Sequence, residues 1–333
     1  MSDVGGARLR RHGRAALLAA ALALGCMVFF NGAARAEAKP KLLITIAQLG
    51  EPLGQMLGAC ADVETLLGPG VDPHLYRLTR TDTAKALAAD GIIANGLNLE
   101  AQMRALFERL RTQKLVVYAG ELAPPERLIR PDGVTADPHI WMDPTLWSDA
   151  IARAAAAVVD RFPGCGPAVQ ANQPAVLAEI ADMAAYVEAR IASIPAAGRV
   201  LVTAHDAFNY FGRRFDIEVL GVQGLSTESE AGVAHIRDLA RVIAERRVRA
   251  VFAETSTAAR AVEAVIEGAR ALGADVRKGS ALFSDAMGAP GAYEGRYIGM
   301  LDHNATRIAV GLGGEAPPLG RHGLLAPLSQ DEG

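Results

Sequence analysis

Short apolar runs alternate with longer stretches of helical periodicity along most of this chain, beginning at Lys41. Residues 41–47 read as a buried strand, and residues 63–67, 91–95 and 115–118 as three more. Between them, residues 50–60, 81–90 and 99–111 carry helical patterns, with Thr81 or Asp82 as the expected cap of the second. A Pro-rich loop over residues 120–136 leads to a helix over 145–162, which Pro163-Gly164-Cys165-Gly166-Pro167 ends. Residues 169–194 then sustain one long apolar stripe through Val176, Ile180, Met183, Val187 and Ile191 before Pro195 stops it.

The second half repeats the alternation. Strands are expected at 199–203, 218–222, 250–253 and 276–281, and helices at 207–215, 232–246, 258–272 and 293–312. Strands alternating with helices of this length imply parallel sheets covered on both faces. The expected class is therefore α/β, with two lobes joined by one long, rigid helix. The domain division that follows is residues 37–167, 168–196 and 197–312, with a poorly ordered Gly- and Pro-rich tail over 313–333.

The first 36 residues stand apart. Arg8, Arg10, Arg11 and Arg14 precede an apolar stretch from Ala15 to Phe30, and Ala34-Arg35-Ala36 fits a small-x-small cleavage pattern. An export signal cut after Ala36 is expected; lipid attachment at Cys26 is the weaker reading, because Ala23 sits where a bulky Leu is usual. Removing residues 1–36 takes away five Arg and one Asp and moves the net charge from −3 to −7. No polybasic patch for nucleic acid or membrane is evident. The mature chain keeps Cys60 and Cys165, which an oxidising compartment allows to pair; two buried thiols are an equal alternative.

Candidate chemistry is concentrated in a repeated frame. Asp72-Pro73-His74 returns as Asp137-Pro138-His139, and Ala204-His205-Asp206 and Ser284-Asp285 follow. In open α/β sheets ligands bind beyond the carboxyl ends of strands, and His74, His139, His205 and Asp285 each follow an expected strand, two in each lobe. Three imidazoles and one carboxylate suit a divalent transition metal such as zinc, manganese or iron, and fit calcium or magnesium poorly. Asp72, Asp137 or Asp206 would accept the second ring proton that metal-bound histidines usually donate. His12, His235, His303 and His322 read as ordinary polar residues, and Glu228 and Glu230 as a solvated loop ahead of auxiliary ligands.

These residues resemble the TroA-like (cluster A-I) substrate-binding proteins of ABC importers for zinc, manganese and iron. The resemblance is carried by Gly68-Pro69-Gly70-Val71-Asp72-Pro73-His74-Leu75-Tyr76, Asn95-Gly96-Leu97-Asn98-Leu99-Glu100 and Asp137-Pro138-His139-Ile140-Trp141-Met142-Asp143. Val202-Thr203-Ala204-His205-Asp206-Ala207-Phe208 and Leu282-Phe283-Ser284-Asp285-Ala286-Met287-Gly288 continue it, over roughly residues 41–312. It implies metal ligands at His74, His139, His205 and Asp285, a periplasmic location, and a membrane permease with a cytoplasmic ATPase as partners of a monomeric receptor. His205, where manganese- or iron-directed members carry Glu, tilts the expectation toward zinc. The absence of a His-rich segment from residues 120–136 tilts it back toward manganese, and zinc is expected ahead of manganese. A zinc hydrolase using the same ligands and a surface metal-binding adhesin are the competing functions. Catalytic zinc sites keep an open position, and four ligands leave none.

Overall fold

A computed structural model describes residues 38–327. The expected export signal and its cleavage point, the lipid-attachment reading of Cys26, and residues 328–333 lie outside the described residues. The first sheet contains β1 (Lys41–Ile44), β2 (Asp62–Thr65), β3 (Gly91–Ala94) and β4 (Leu115–Tyr118), all parallel, in the order β2-β1-β3-β4. The second contains β5 (Val200–His205), β6 (Glu218–Gln223), β7 (Ala250–Glu254) and β8 (Arg277–Leu282), in the order β6-β5-β7-β8. Each sheet reverses its winding between its first and third strands. The C-terminal edges at those reversals are where such folds hold ligands.

Helices α1 (Ala47–Leu57), α2 (Arg80–Ala88) and α3 (Ala101–Leu110) intervene in the first half. α4 (Pro144–Arg161) and α5 (Gly166–Ala192) lead across to the second, which adds α6 (Asn209–Phe215), α7 (Val233–Arg246), α8 (Arg260–Ala271) and α9 (Tyr297–Leu312). α5, at 27 residues, is roughly 40 Å long at 1.5 Å per residue. Val176, Ile180, Met183, Val187 and Ile191 are all buried along it, as the apolar stripe requires. Pro167 opens this helix rather than closing the previous one, because the first helical turn needs no N–H from it. One apolar cluster runs from the first sheet through Trp147, Ile180 and Val187 to Phe252 and Leu301, so the two halves share a core.

Three expectations are corrected here. The cap of α2 is Thr79, not Thr81 or Asp82. Its side chain accepts the Asp82 N–H while Asp82 accepts the Thr79 N–H, a reciprocal pair that satisfies two free donors at once. Through residue 327 the tail is ordered and packed. Asp302, fully buried on α9, accepts the Arg321 N–H; the Arg321 guanidinium pairs with Asp182 on α5; and Leu325 is buried. Strand β5 extends through His205, which is held by parallel pairing with Gln223 on β6. Cys60 and Cys165 form a disulfide with Cα atoms 5.2 Å apart, joining the end of α1 to the start of α5.

Candidate metal centre

The two Asp-Pro-His frames fold by one device. Proline has no N–H and pushes the aspartate before it toward extended backbone. The next free N–H belongs to the histidine, and the aspartate side chain takes it. His74 N donates to Asp72 Oδ1 at 2.8 Å, and His139 N donates to Asp137 Oδ1 at 2.9 Å. Gly70, at φ 71°, makes the turn into the first frame. His205 is aimed differently, from the last residue of β5. Its backbone N–H donates to Glu254 Oε1 at 2.9 Å, at the end of the neighbouring β7.

Asp285 follows β8 on a loop held from both halves. The Ser284 carbonyl accepts from Gln48 Nε2 and Trp141 Nε1, each at 3.0 Å, and the Ser284 hydroxyl donates to Glu254 Oε2 at 2.6 Å. Phe283 exchanges backbone hydrogen bonds with the Asn304 side chain.

These supports bring the four side chains together. His74, His139, His205 and Asp285 are all buried, and each offers a donor atom within 4.8 Å of the others. The Nε2 of His139 lies 3.3 Å from the Nε2 of both His74 and His205. Asp285 oxygens lie 3.4 Å from His139 Nε2, 3.3 Å from His205 Nε2 and 3.8 Å from His74 Nε2. Bonds of about 2.0–2.1 Å to a tetrahedral zinc give donor–donor edges of about 3.3–3.4 Å, so most of these separations are those of ligands around one ion. Both Asp285 oxygens are buried without a hydrogen bond of good geometry, and a buried carboxylate left that way calls for a cation.

The second ring nitrogens fix which atom faces the centre. Asp137 Oδ1 lies 2.7 Å from His139 Nδ1, and Glu254 Oε2 lies 2.5 Å from His205 Nδ1. A proton on each Nδ1 leaves the Nε2 lone pair for a metal. Of the three aspartates proposed for this task, only Asp137 performs it. Asp206 instead accepts the Gly221 N–H, and Asp72 holds the His74 backbone and the Thr227 hydroxyl. Glu254 was missed because it lies 49 residues from His205 in the chain. Its signal was its place, an acid ending the apolar run Ala250-Val251-Phe252-Ala253 at the carboxyl edge of a strand. Glu228 accepts from Gln102 and is outside the cluster; His235 and His303 bond backbone carbonyls.

Electrostatics divide the histidines. Burial pushes His74 down to about 4, despite the Asp285 charge, so this ring is neutral. For His139 burial acts in the same direction, but the Asp137 and Asp285 carboxylates outweigh it and raise the ring to about 9. His205 is likewise raised well above its ordinary value, as Glu254 and Asp285 overcome burial. Burial also opposes ionisation of Asp285, yet the surrounding imidazoles hold its carboxyl well below the usual range. Protons and a metal held here would therefore compete for the same ring nitrogens.

A buried cage of three imidazoles and one carboxylate between two parallel sheets defines a metal-binding receptor. The chain matches the family model "Zinc-uptake complex component A periplasmic" over residues 43–311 and belongs to that family of metal-binding transport receptors. It is 38% identical over 304 residues to "Zinc-binding protein TroA" of Treponema pallidum, covering 90% of this chain and 99% of the relative. It is 36% identical over 306 residues to "Manganese-binding lipoprotein MntA" of Bacillus subtilis, covering 91% and 100%. The solved periplasmic zinc-binding TroA structure superposes with a TM-score of 0.81 at 39% identity, over 83% of this chain and 99% of that one. Among the described residues no helix is long and apolar enough to cross a membrane.

Proposed function

We propose that this protein is the periplasmic receptor of an ABC-type importer, binding one divalent transition metal through His74, His139, His205 and Asp285 and handing it to the membrane permease. The observation that carries the reading is the buried Asp285 carboxylate, unpartnered at hydrogen-bond geometry and faced by three imidazole Nε2 atoms. A protein built only to be stable has no reason to keep such a charge.

Zinc is the favoured cargo, since three nitrogens and one oxygen at these edges suit a small tetrahedral ion. One observation favours manganese as the alternative. Asp285 turns Oδ1 toward His139 and Oδ2 toward His205, offering five donor atoms in place of four. Metals that accept more than four ligands use such a carboxylate in bidentate fashion.

The division into a lobe over residues 37–167, a connecting helix over 168–196 and a lobe over 197–312 belongs to the same proposal. So do an N-terminal export signal ending at Ala36 and a monomeric state. With one core running through α5, metal loading should move loops more than whole lobes. The test is direct. The protein, purified without added metal and then titrated, should take up one zinc per chain, while His139→Ala and Asp285→Ala should retain the fold and lose zinc affinity by more than the about 10- to 100-fold that loss of an outer partner costs. Near wild-type affinity in either variant refutes the assignment.

A further inference from the structure

The loop between β6 and α7 reaches across to the first half of the molecule. Thr227 Oγ1 donates to Asp72 Oδ2 at 2.5 Å, and Glu228 Oε1 accepts from Gln102 Nε2 on α3 at 3.0 Å. Asp72 is the pivot of this contact, because its other oxygen accepts the His74 N–H. A residue of the second half thus grips the turn that aims a ligand of the first half.

His74 is also the least supported of the four. Its side chain is 3% exposed, against 0% for His139, His205 and Asp285. The rings of His139 and His205 are each braced at Nδ1 by a carboxylate; Asp72 braces only the His74 backbone. An ion enclosed this completely leaves only when part of the wall moves. The other three walls are tied into strand ends and buried networks, whereas the His74 wall rests on a turn and on a loop from the opposite side. Regions with the fewest buried supports open first.

We propose that residues 224–232 latch the metal site, with Thr227 acting through Asp72 as a positioning residue that keeps His74 on the metal and sets the rate of release. The latch rests on the reading of the four-residue cage as the metal site and adds how that site lets its cargo go. Opening it frees one ligand without separating two sheets that share a core. A permease that displaced this loop would trigger release by a local movement.

The test compares wild type, Thr227→Val, Thr227→Ala and Thr227→Ser. Each is loaded with zinc, checked for one ion per chain, and followed by stopped-flow during capture and during release to an excess of chromogenic chelator. Hydrogen bonds to charged groups contribute enough that losing one should speed release about 10- to 100-fold in the Val and Ala variants, with capture rates unchanged. Thr227→Ser, which keeps the hydroxyl, should restore wild-type release. A role in folding alone would lower loading or slow capture, and would not leave the change confined to release. Wild-type release rates in the Val and Ala variants, or failure of Ser to restore, overturn the latch while the receptor stands. If the wild type itself takes up neither zinc nor manganese, the receptor reading fails and the latch with it.

Discussion

At the scale of single residues, Glu254 matters as much as a residue that would touch the metal. Its two oxygens take the His205 backbone N–H and ring Nδ1, and one of them also takes the Ser284 hydroxyl beside Asp285. One carboxylate thus orients two of the four proposed ligands. Glu254→Gln should lower zinc affinity about 10- to 100-fold, the range that loss of such an outer partner usually costs. Asp206→Asn, which changes a group bonded to Gly221 and not to any ring, should leave affinity within about threefold by the same reasoning. Competition titration against a chelator of known affinity separates the two; equal losses would remove Glu254 from its role.

The raised and lowered imidazoles give a pH dependence with two opposite signs. His139 is raised from its ordinary 6.5 to about 9, and His205 is raised too, so without metal these rings hold protons at neutral pH. Metal must displace them, so affinity should rise between pH 6.5 and 9 and protons should be released on binding. Stability without metal should run the other way across that window. A group whose folded value is raised stabilises fully below its unfolded value and loses that contribution as pH climbs through the folded one. His74, lowered to about 4, acts below the window, where stability should increase from pH 4 to 6.5. Calorimetry in buffers of differing ionisation enthalpy measures the proton release. A value of zero at neutral pH would contradict the assigned protonation states.

At the scale of elements, the apolar runs were legible because parallel strands covered on both faces have no polar side to show. The long helix was legible from five buried positions at helical spacing, Val176 through Ile191. The Asp-Pro-His frame was legible because proline dictates where the neighbouring carboxylate must look for a donor. What sequence did not give were partners chosen by register between distant strands. Glu254 reaches His205 because β7 lies beside β5, and nothing local announces that. The tail misled for a similar reason. Its Gly and Pro content describes local freedom, while its order comes from Asp302 and Asp182, which lie 19 and 139 residues before Arg321. The disulfide is another such pairing, spanning 105 residues. By closing a loop of that length it should contribute about 2–5 kcal/mol, chiefly by restricting the unfolded chain. Cys60→Ala with Cys165→Ala should lower the denaturation midpoint accordingly and leave zinc stoichiometry at one, which guanidinium titration and elemental analysis test.

At the scale of the molecule, two sheets of the same winding order present the carboxyl ends of their strands to one site. The first half supplies His74 and His139, and the second supplies His205 and Asp285. Neither half alone offers a complete coordination sphere, so the ion would act as a bond between them. Binding to the folded state alone stabilises it by mass action, about 4 kcal/mol at a thousandfold excess over Kd. Loaded protein should therefore melt well above the free form, and the gap should close when any of the four side chains is truncated.

The most direct measurement is anomalous diffraction at the zinc edge from crystals of the loaded protein. One ion should sit about 2.0–2.2 Å from the Nε2 atoms of His74, His139 and His205 and from a carboxylate oxygen of Asp285. An ion bound elsewhere, or any one of those four side chains turned away from it, would contradict the account.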